Sequence, residues 1–143
     1  MRKRTQARHI ALQFLYQMDI RVGEVLDEMD TFISKSSDDP EVNQFALSLI
    51  QGVIEHRKEI DDQIVKTAKN WDLHRMAIID RNVLRIATHE ILHRDDIPTK
   101  VSINEAIDLG KEYSTQQSGA FINGILDRIV RDKNGTEPNP ETE

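Results

Sequence analysis

The chain has 143 residues, a formal net charge of −6, 38% hydrophobic and 31% charged residues, and no cysteine. That is enough chain to bury a core as one domain. The lack of cysteine excludes disulfides and thiolate chemistry, and would leave any metal to histidine and carboxylate ligands. No apolar run approaches membrane-spanning length. The basic start runs straight into an amphipathic pattern, so a secretory signal is not expected and a cytoplasmic location is.

Charge is unevenly spread. Arg2, Lys3, Arg4 and Arg8 fall in the first ten residues with no acid among them, which leaves 15 basic residues against 25 acidic ones in the rest. An acidic body with a basic arm asks for a specific explanation.

In chain order, Ala7, Ile10, Ala11, Phe14, Leu15 and Met18 mark one face of a first helix. Leu12 and Tyr16 lie on another side, so this helix is either covered twice or shows Tyr16 at a surface. Gly23 lies near a turn, and Val22, Leu26, Met29 and Ile33 predict a short second helix. Asp39 suits an N-cap and Pro40 a first helical residue, because proline lacks only an N–H that would be orphaned there. Val42, Phe45, Ala46, Leu49, Ile50 and Val53 form the next stripe; Ile60 and Ile64 continue it after a break near Arg57. A long helix is predicted from about Arg75 to Arg94, ended by the turn DDIPTK, where Pro98 cannot continue a helix. Ser102 and Glu105 of SINE read as a capping box for the helix through Tyr113, and Ser118 as the cap of the last helix, with Phe121, Ile122, Ile125, Leu126 and Ile129 as its stripe. No strand is expected. The reading is all-α with six or seven helices, residues 1–132 as one domain with a basic arm over 1–8, and 133–143 as a disordered tail.

Thr88 to His93 reads THEILH, and His89-Glu90-x-x-His93 is the helical zinc signature of many metalloproteases. A zinc hydrolase needs more: a third ligand and an open position for water. Glu112 is a nominal ligand that nothing positions. On the helical wheel His89 and His93 sit at the edge of a broad apolar face, and Glu90 sits nearer its middle, as a structural carboxylate bonded to a neighbour would. The favoured reading is therefore edge histidines on a core helix, with no metal, no cofactor and no catalysis. No Gly-rich phosphate loop or nucleophile elbow appears either.

The arm is harder to explain by folding alone. Cations near a helix N-terminus oppose the helix dipole, at about 0.3–1 kcal/mol each when exposed. A polyanion would repay that, because arginine forks match phosphate oxygens and a flexible arm followed by one basic helical turn can track a nucleic-acid backbone. A solubilising charge cluster is the alternative.

Three blocks in order carry a resemblance: ARHIALQFLYQ (Ala7 to Gln17), IIDRNVLRIATHEIL (Ile78 to Leu92), and IPTKVSINEAIDLGKEYS (Ile97 to Ser114) running into SGAFINGILDRI (Ser118 to Ile129). Together they resemble the NusB family of transcription antitermination factors from Arg4 to Ile129. The resemblance implies an all-α fold of two small three-helix bundles packed across each other, and a non-enzymatic RNA-binding protein. It implies recognition of the boxA element of nascent ribosomal RNA with the small-subunit protein NusE, in an elongation complex of RNA polymerase and other Nus factors. Whether the free protein forms a homodimer stays open.

Residue by residue, the resemblance places RNA contacts at Arg4 and Arg8, with Arg2 and Lys3 as additions, and at Tyr16, Gln117 and Phe121. It ties Asp80, with Arg81 beside it, to the partner surface. Tyr16 and Phe121 also fit plain core packing. Ala120 stands where relatives often carry a basic residue, and Gln117 where some carry an acid. The rival functions are a protein-interaction scaffold, an accessory domain of an RNA methyltransferase, and a zinc-dependent hydrolase using HEILH.

Overall fold

The computed structural model describes residues 1–21, 23, 25–69 and 71–135. The described residues form seven α-helices and no strand: α1 (Lys3–Ile20), α2 (Met29–Ser36), α3 (Pro40–Glu55), α4 (Arg57–Thr67), α5 (Ile78–His93), α6 (Thr99–Tyr113) and α7 (Gln116–Lys133).

Local chemistry sets most of the boundaries. Asp39 accepts a hydrogen bond from the Glu41 N–H at 2.9 Å and Pro40 opens α3, as the sequence predicts. His56 closes α3 and opens α4, which is the break expected near Arg57. Gly23 sits at φ +117°, a conformation that glycine reaches without a Cβ penalty, in the turn after α1. A single 3-10 turn over Leu26–Glu28 then leads into α2. Val22, predicted as part of that second helix, lies outside the described residues.

Three boundaries differ from the sequence reading. α5 starts at Ile78 rather than Arg75, because residues 73–75 form a separate 3-10 turn capped by Asp72. α6 starts at Thr99, directly after Pro98, so Ser102 and Glu105 are already inside it and form no capping box. Their side chains serve tertiary bonds instead: the Ser102 hydroxyl donates to Glu90, and Glu105 accepts from Thr5 and Arg8. α7 is capped by Thr115, with Ser118 at the third position returning the bond, a reciprocal box one turn earlier than predicted. Helical periodicity does not locate the first turn, so boundaries of this kind escape it. The predicted tail falls mostly outside the described residues: α7 runs to Lys133 and the description ends at Gly135.

Two triplets of helices pack mutually. α1, α2 and α3 form one bundle; α5, α6 and α7 form the other. α5 crosses onto both α1 and α3, and α4 rests on α3, α5 and α7. One continuous core cluster joins the halves, with Phe14, Leu49, Ile50, Ile60, Ile64, Leu84, Ile122 and Leu126 sealed from solvent. Leu12 is also buried, so α1 is covered on two sides. No described helix is long and apolar enough to cross a membrane.

Candidate nucleic-acid interface

The basic segment is helical from Lys3 onward, so only Met1 and Arg2 precede α1. No acidic side chain stands in the first turn and Arg2 gives no side-chain cap, which leaves this helix start electropositive. Arg2 and Arg4 are exposed. Lys3 reaches Asp39 and Glu41 at 3.2 and 3.3 Å, and these two carboxylates raise the pKa of its ammonium. Arg4 lies 3.8 Å from Asp96 and stacks its guanidinium 4.5 Å from the Phe45 ring centre. Arg94 covers the same ring at 5.2 Å while bonding Asp96 and Ser48. Phe45 is therefore a platform for arginines on α1 and at the end of α5.

Arg8, one turn further on, has a different environment. Its side chain is 2% exposed. Nε and Nη2 donate to the two oxygens of Glu90, both at 2.8 Å, and Nη1 donates to Glu105 at 3.2 Å. Glu90 also accepts from Ser102 at 2.7 Å. A phosphate contact was expected at Arg8; in this structure its fork is already filled by carboxylates and closed to solvent. Glu90 thus has the structural partner that its place on the wheel implied.

A second ion-pair network lies on the other side of α5. Asp19 of α1 accepts from Arg81, Asn82 and Arg85 at 2.9–3.0 Å. Arg85 continues to Asp61, which Arg57 also holds. Burial pushes the Asp19 carboxyl up, but the bonds from Asn82 and Arg81 and the charges of Arg85 and Arg81 outweigh it, and the net shift is downward. Arg81, expected at a partner surface, is 14% exposed and committed to this network. Asp80 beside it is half-buried, and its Oδ1 is buried without a hydrogen-bond partner.

Tyr16 is half-buried and takes no place in the core cluster. Phe121 is half-buried, packs on the core, and meets Trp71 edge-on at 5.4 Å. Gln117, one turn before Phe121 on α7, is exposed, as is Ala120. α6 touches both α1, through Thr5–Glu105 and His9–Tyr113, and α7. Sequence reasoning missed Trp71. It is the one tryptophan of the chain, 52% exposed, and Lys69 and Arg75 share its shallow groove. A lone tryptophan in a polar connector, belonging to no apolar stripe, was the available signal.

The histidines of HEILH stack with ring centres 5.7 Å apart but have different environments. His89 is 4% exposed, its Nδ1 buried without a partner, and its ring occupies the space over Gly52. A Cβ at Gly52 would come within 2.1 Å of that ring, so the close approach of α3 to α5 requires glycine. Burial, then the nearby His93, His56 and Arg94, lower the His89 pKa to about 4. His93 faces outward against His56 and Glu59. Glu112 bonds His9, on another part of the surface. The metalloprotease geometry is therefore not formed.

Comparison with known proteins agrees with this architecture. The profile of the NusB family matches residues 5–131. The transcription antitermination protein NusB of Anaeromyxobacter sp. (strain Fw109-5) is 48% identical over 129 residues, 90% of each chain. The crystal form of NusB from T. maritima superposes with a TM-score of 0.80 at 37% identity, over 90% of this chain and 91% of that one. A chain from the crystal structure of antitermination factors NusB and NusE in complex with dsRNA superposes at 0.81 with 26% identity, over 92% and 98%. With a profile match across nearly all of its length, and relatives of this identity and coverage, the chain belongs to the NusB family.

Proposed function

We propose that the protein is a non-enzymatic transcription antitermination factor that binds boxA RNA of nascent ribosomal transcripts together with NusE, within an RNA polymerase elongation complex. The observation that carries the reading is the full-length likeness to NusB proteins, one of them solved with NusE and RNA.

The side chains fit that role unequally. Arg2, Lys3 and Arg4 supply phosphate charge from an uncapped helix start. The ion pairs of Lys3 and Arg4 are solvent-exposed, so they exchange for phosphate at little cost. Arg8 acts through position, fixing α1 against α5 and α6 so that Arg4 is presented. Phe121 and Trp71 form an aromatic ledge on which bases stack, with Gln117 beside it and Lys69 and Arg75 as cations at its edge. Tyr16 offers a second, separate stacking surface. Half-buried Asp80 stands at the basic partner's face in this reading, and Arg81 holds the helix start through Asp19.

The test is titration of boxA RNA and a scrambled RNA over a salt series, with and without NusE. Phe121→Ala and Trp71→Ala should each weaken boxA binding by about 1–3 kcal/mol with no change in salt slope. Equal affinity for boxA and scrambled RNA, with no help from NusE, would remove the antitermination role and leave an interaction scaffold.

A further inference from the structure

His56 sits at the junction of α3 and α4, and its ring lies flat on that of His93 of α5, with centres 3.7 Å apart and planes 11° from parallel. Glu59, in the first turn of α4, bonds His93 Nε2. One ligand atom from each of the three residues lies within 4.8 Å of the others. They open onto a groove along α4 that also includes Glu55, Lys58 and Asp62.

The arrangement is odd as packing. Two polar rings, neither fully buried, are stacked face to face, and one of them is bonded to an exposed carboxylate. Lys58, in the same groove, is bonded to Asp62 at 2.8 Å. Two imidazole nitrogens and a carboxylate oxygen from two adjacent helices are, however, a ligand set for a borderline metal ion.

We propose that His56, Glu59 and His93 bind one divalent transition-metal ion of the Zn²⁺ or Ni²⁺ type, with water completing its coordination. Imidazole suits these ions, whereas Mg²⁺ and Ca²⁺ prefer all-oxygen sites. A tetrahedral ion held at about 2.0–2.1 Å from each nitrogen sets them roughly 3.4 Å apart. In the stack the two lone-pair axes lie in nearly parallel planes, so binding requires at least one imidazole to turn out of the stack about its side-chain torsions; both rings are only partly buried, which leaves room for that turn. Glu59 and His93 are 57% and 25% exposed, so the ion has an entry path.

This site is not the one that the HEILH spacing suggests. It takes only the second histidine of that pattern; the first turns inward over Gly52, and Glu90 is locked to Arg8. With Glu90 turned away to Arg8, the site is a clip between helices and not the metalloprotease centre of that pattern. The ion would tie the α3–α4 junction to the C-terminal turn of α5. The inference reverses the expectation of no metal and does not depend on the RNA-binding reading.

The test is calorimetric titration of the untagged full chain, stripped with chelator, against Zn²⁺, Ni²⁺ and Mg²⁺. The expected result is one Zn²⁺ or Ni²⁺ per chain and no Mg²⁺ heat. His93→Ala and Glu59→Gln, checked for unchanged helicity, should each weaken binding at least as much as losing a supporting partner does, about 10–100-fold. His74→Ala, on the exposed 3-10 turn before α5, should bind as the wild type does. Zn²⁺ should also raise the melting temperature of the wild type and not of His93→Ala. Absence of a stoichiometric site, or full affinity in both cluster variants, overturns the proposal.

Discussion

Arg4 and Arg8 are the same residue type, one helical turn apart, in the same basic segment, yet they have opposite surroundings. Arg4 is 53% exposed, with a loose pair at 3.8 Å; Arg8 is 2% exposed and bonded to two carboxylates. An exposed cation keeps its donors for a ligand and is screened by salt. A buried one must spend them on the fold, because an uncompensated charge in the interior costs several kcal/mol. Charge alone therefore does not nominate a phosphate contact; the residue's place along the helix, inside or beyond the packed stretch, does. Ala7, Ala11 and Leu15 are buried beside Arg8, whereas Arg4 projects past the end of the packed surface.

The strongest way to break this comparison is to remove one partner of the buried pair. Arg8→Ala leaves Glu90 with only Ser102, and should cost about 3–5 kcal/mol in urea unfolding. The double variant Arg8→Met/Glu90→Met removes both charges and should recover most of that loss, since apolar replacements of buried pairs are often near neutral. It also decides the role of Arg8. If the double variant folds and keeps wild-type RNA affinity, Arg8 is a positioning residue; if it folds and loses RNA, the phosphate-contact expectation returns.

The next effect sets Glu90 against its neighbour His89. Both are buried on α5, but only Glu90 has a permanent counter-charge. His89 has a folded pKa of about 4 against an ordinary 6.5, so between these values the unfolded chain binds the extra proton. Its neutral burial therefore adds stability fully above about pH 6.5, lost as pH falls toward 4. From about pH 7.5 to about pH 5, in chelator, the loss should be about 2 kcal/mol. His89→Phe should flatten that part of the profile, and an unchanged slope would assign it to other groups.

Gly52→Ala tests the same ring sterically. Alanine gains about 0.5–1 kcal/mol over glycine inside a helix, while overpacking costs about 1–3 kcal/mol. With a contact at 2.1 Å the clash should win, and the variant should be net destabilised by about 1 kcal/mol or more. Adding His89→Ala should reverse the sign of the Gly52→Ala effect.

Much of the fold was readable because it rests on period and punctuation. Stripes such as Val42–Phe45–Leu49–Val53 are buried as predicted, and Asp39-Pro40 starts α3 as predicted. What the sequence does not reveal is which polar residue pairs across the chain. Ser102 and Glu105 have ideal capping-box spacing, but Glu90 and Arg8, 12 and 97 residues away, take their side chains. For the same reason the ion pairs of Arg8 with Glu90 and Glu105, and of Arg81 with Asp19, are invisible until the chain is folded. Trp71 shows the converse: its partner Phe121 lies on α7, 50 positions on, so only the folded chain joins the two into a ledge.

The smallest effect on stability is expected at Arg4, where the effect on binding is direct. Arg4→Ala loses an exposed pair and a stack on Phe45, together about 0.5–1 kcal/mol, and its urea midpoint should barely move. Its RNA affinity should fall at low salt, with a log–log salt slope flatter by about 0.7 for one lost single-strand phosphate contact. Arg4→Lys separates the two ingredients. It keeps the charge and the slope, but an ammonium cannot stack its face on Phe45 while bonding phosphate, as a guanidinium can. If Arg4→Lys binds as tightly as the wild type, Phe45 is only a support for the side chain. If it binds like Arg4→Ala, the platform that holds the guanidinium flat is itself part of the recognition.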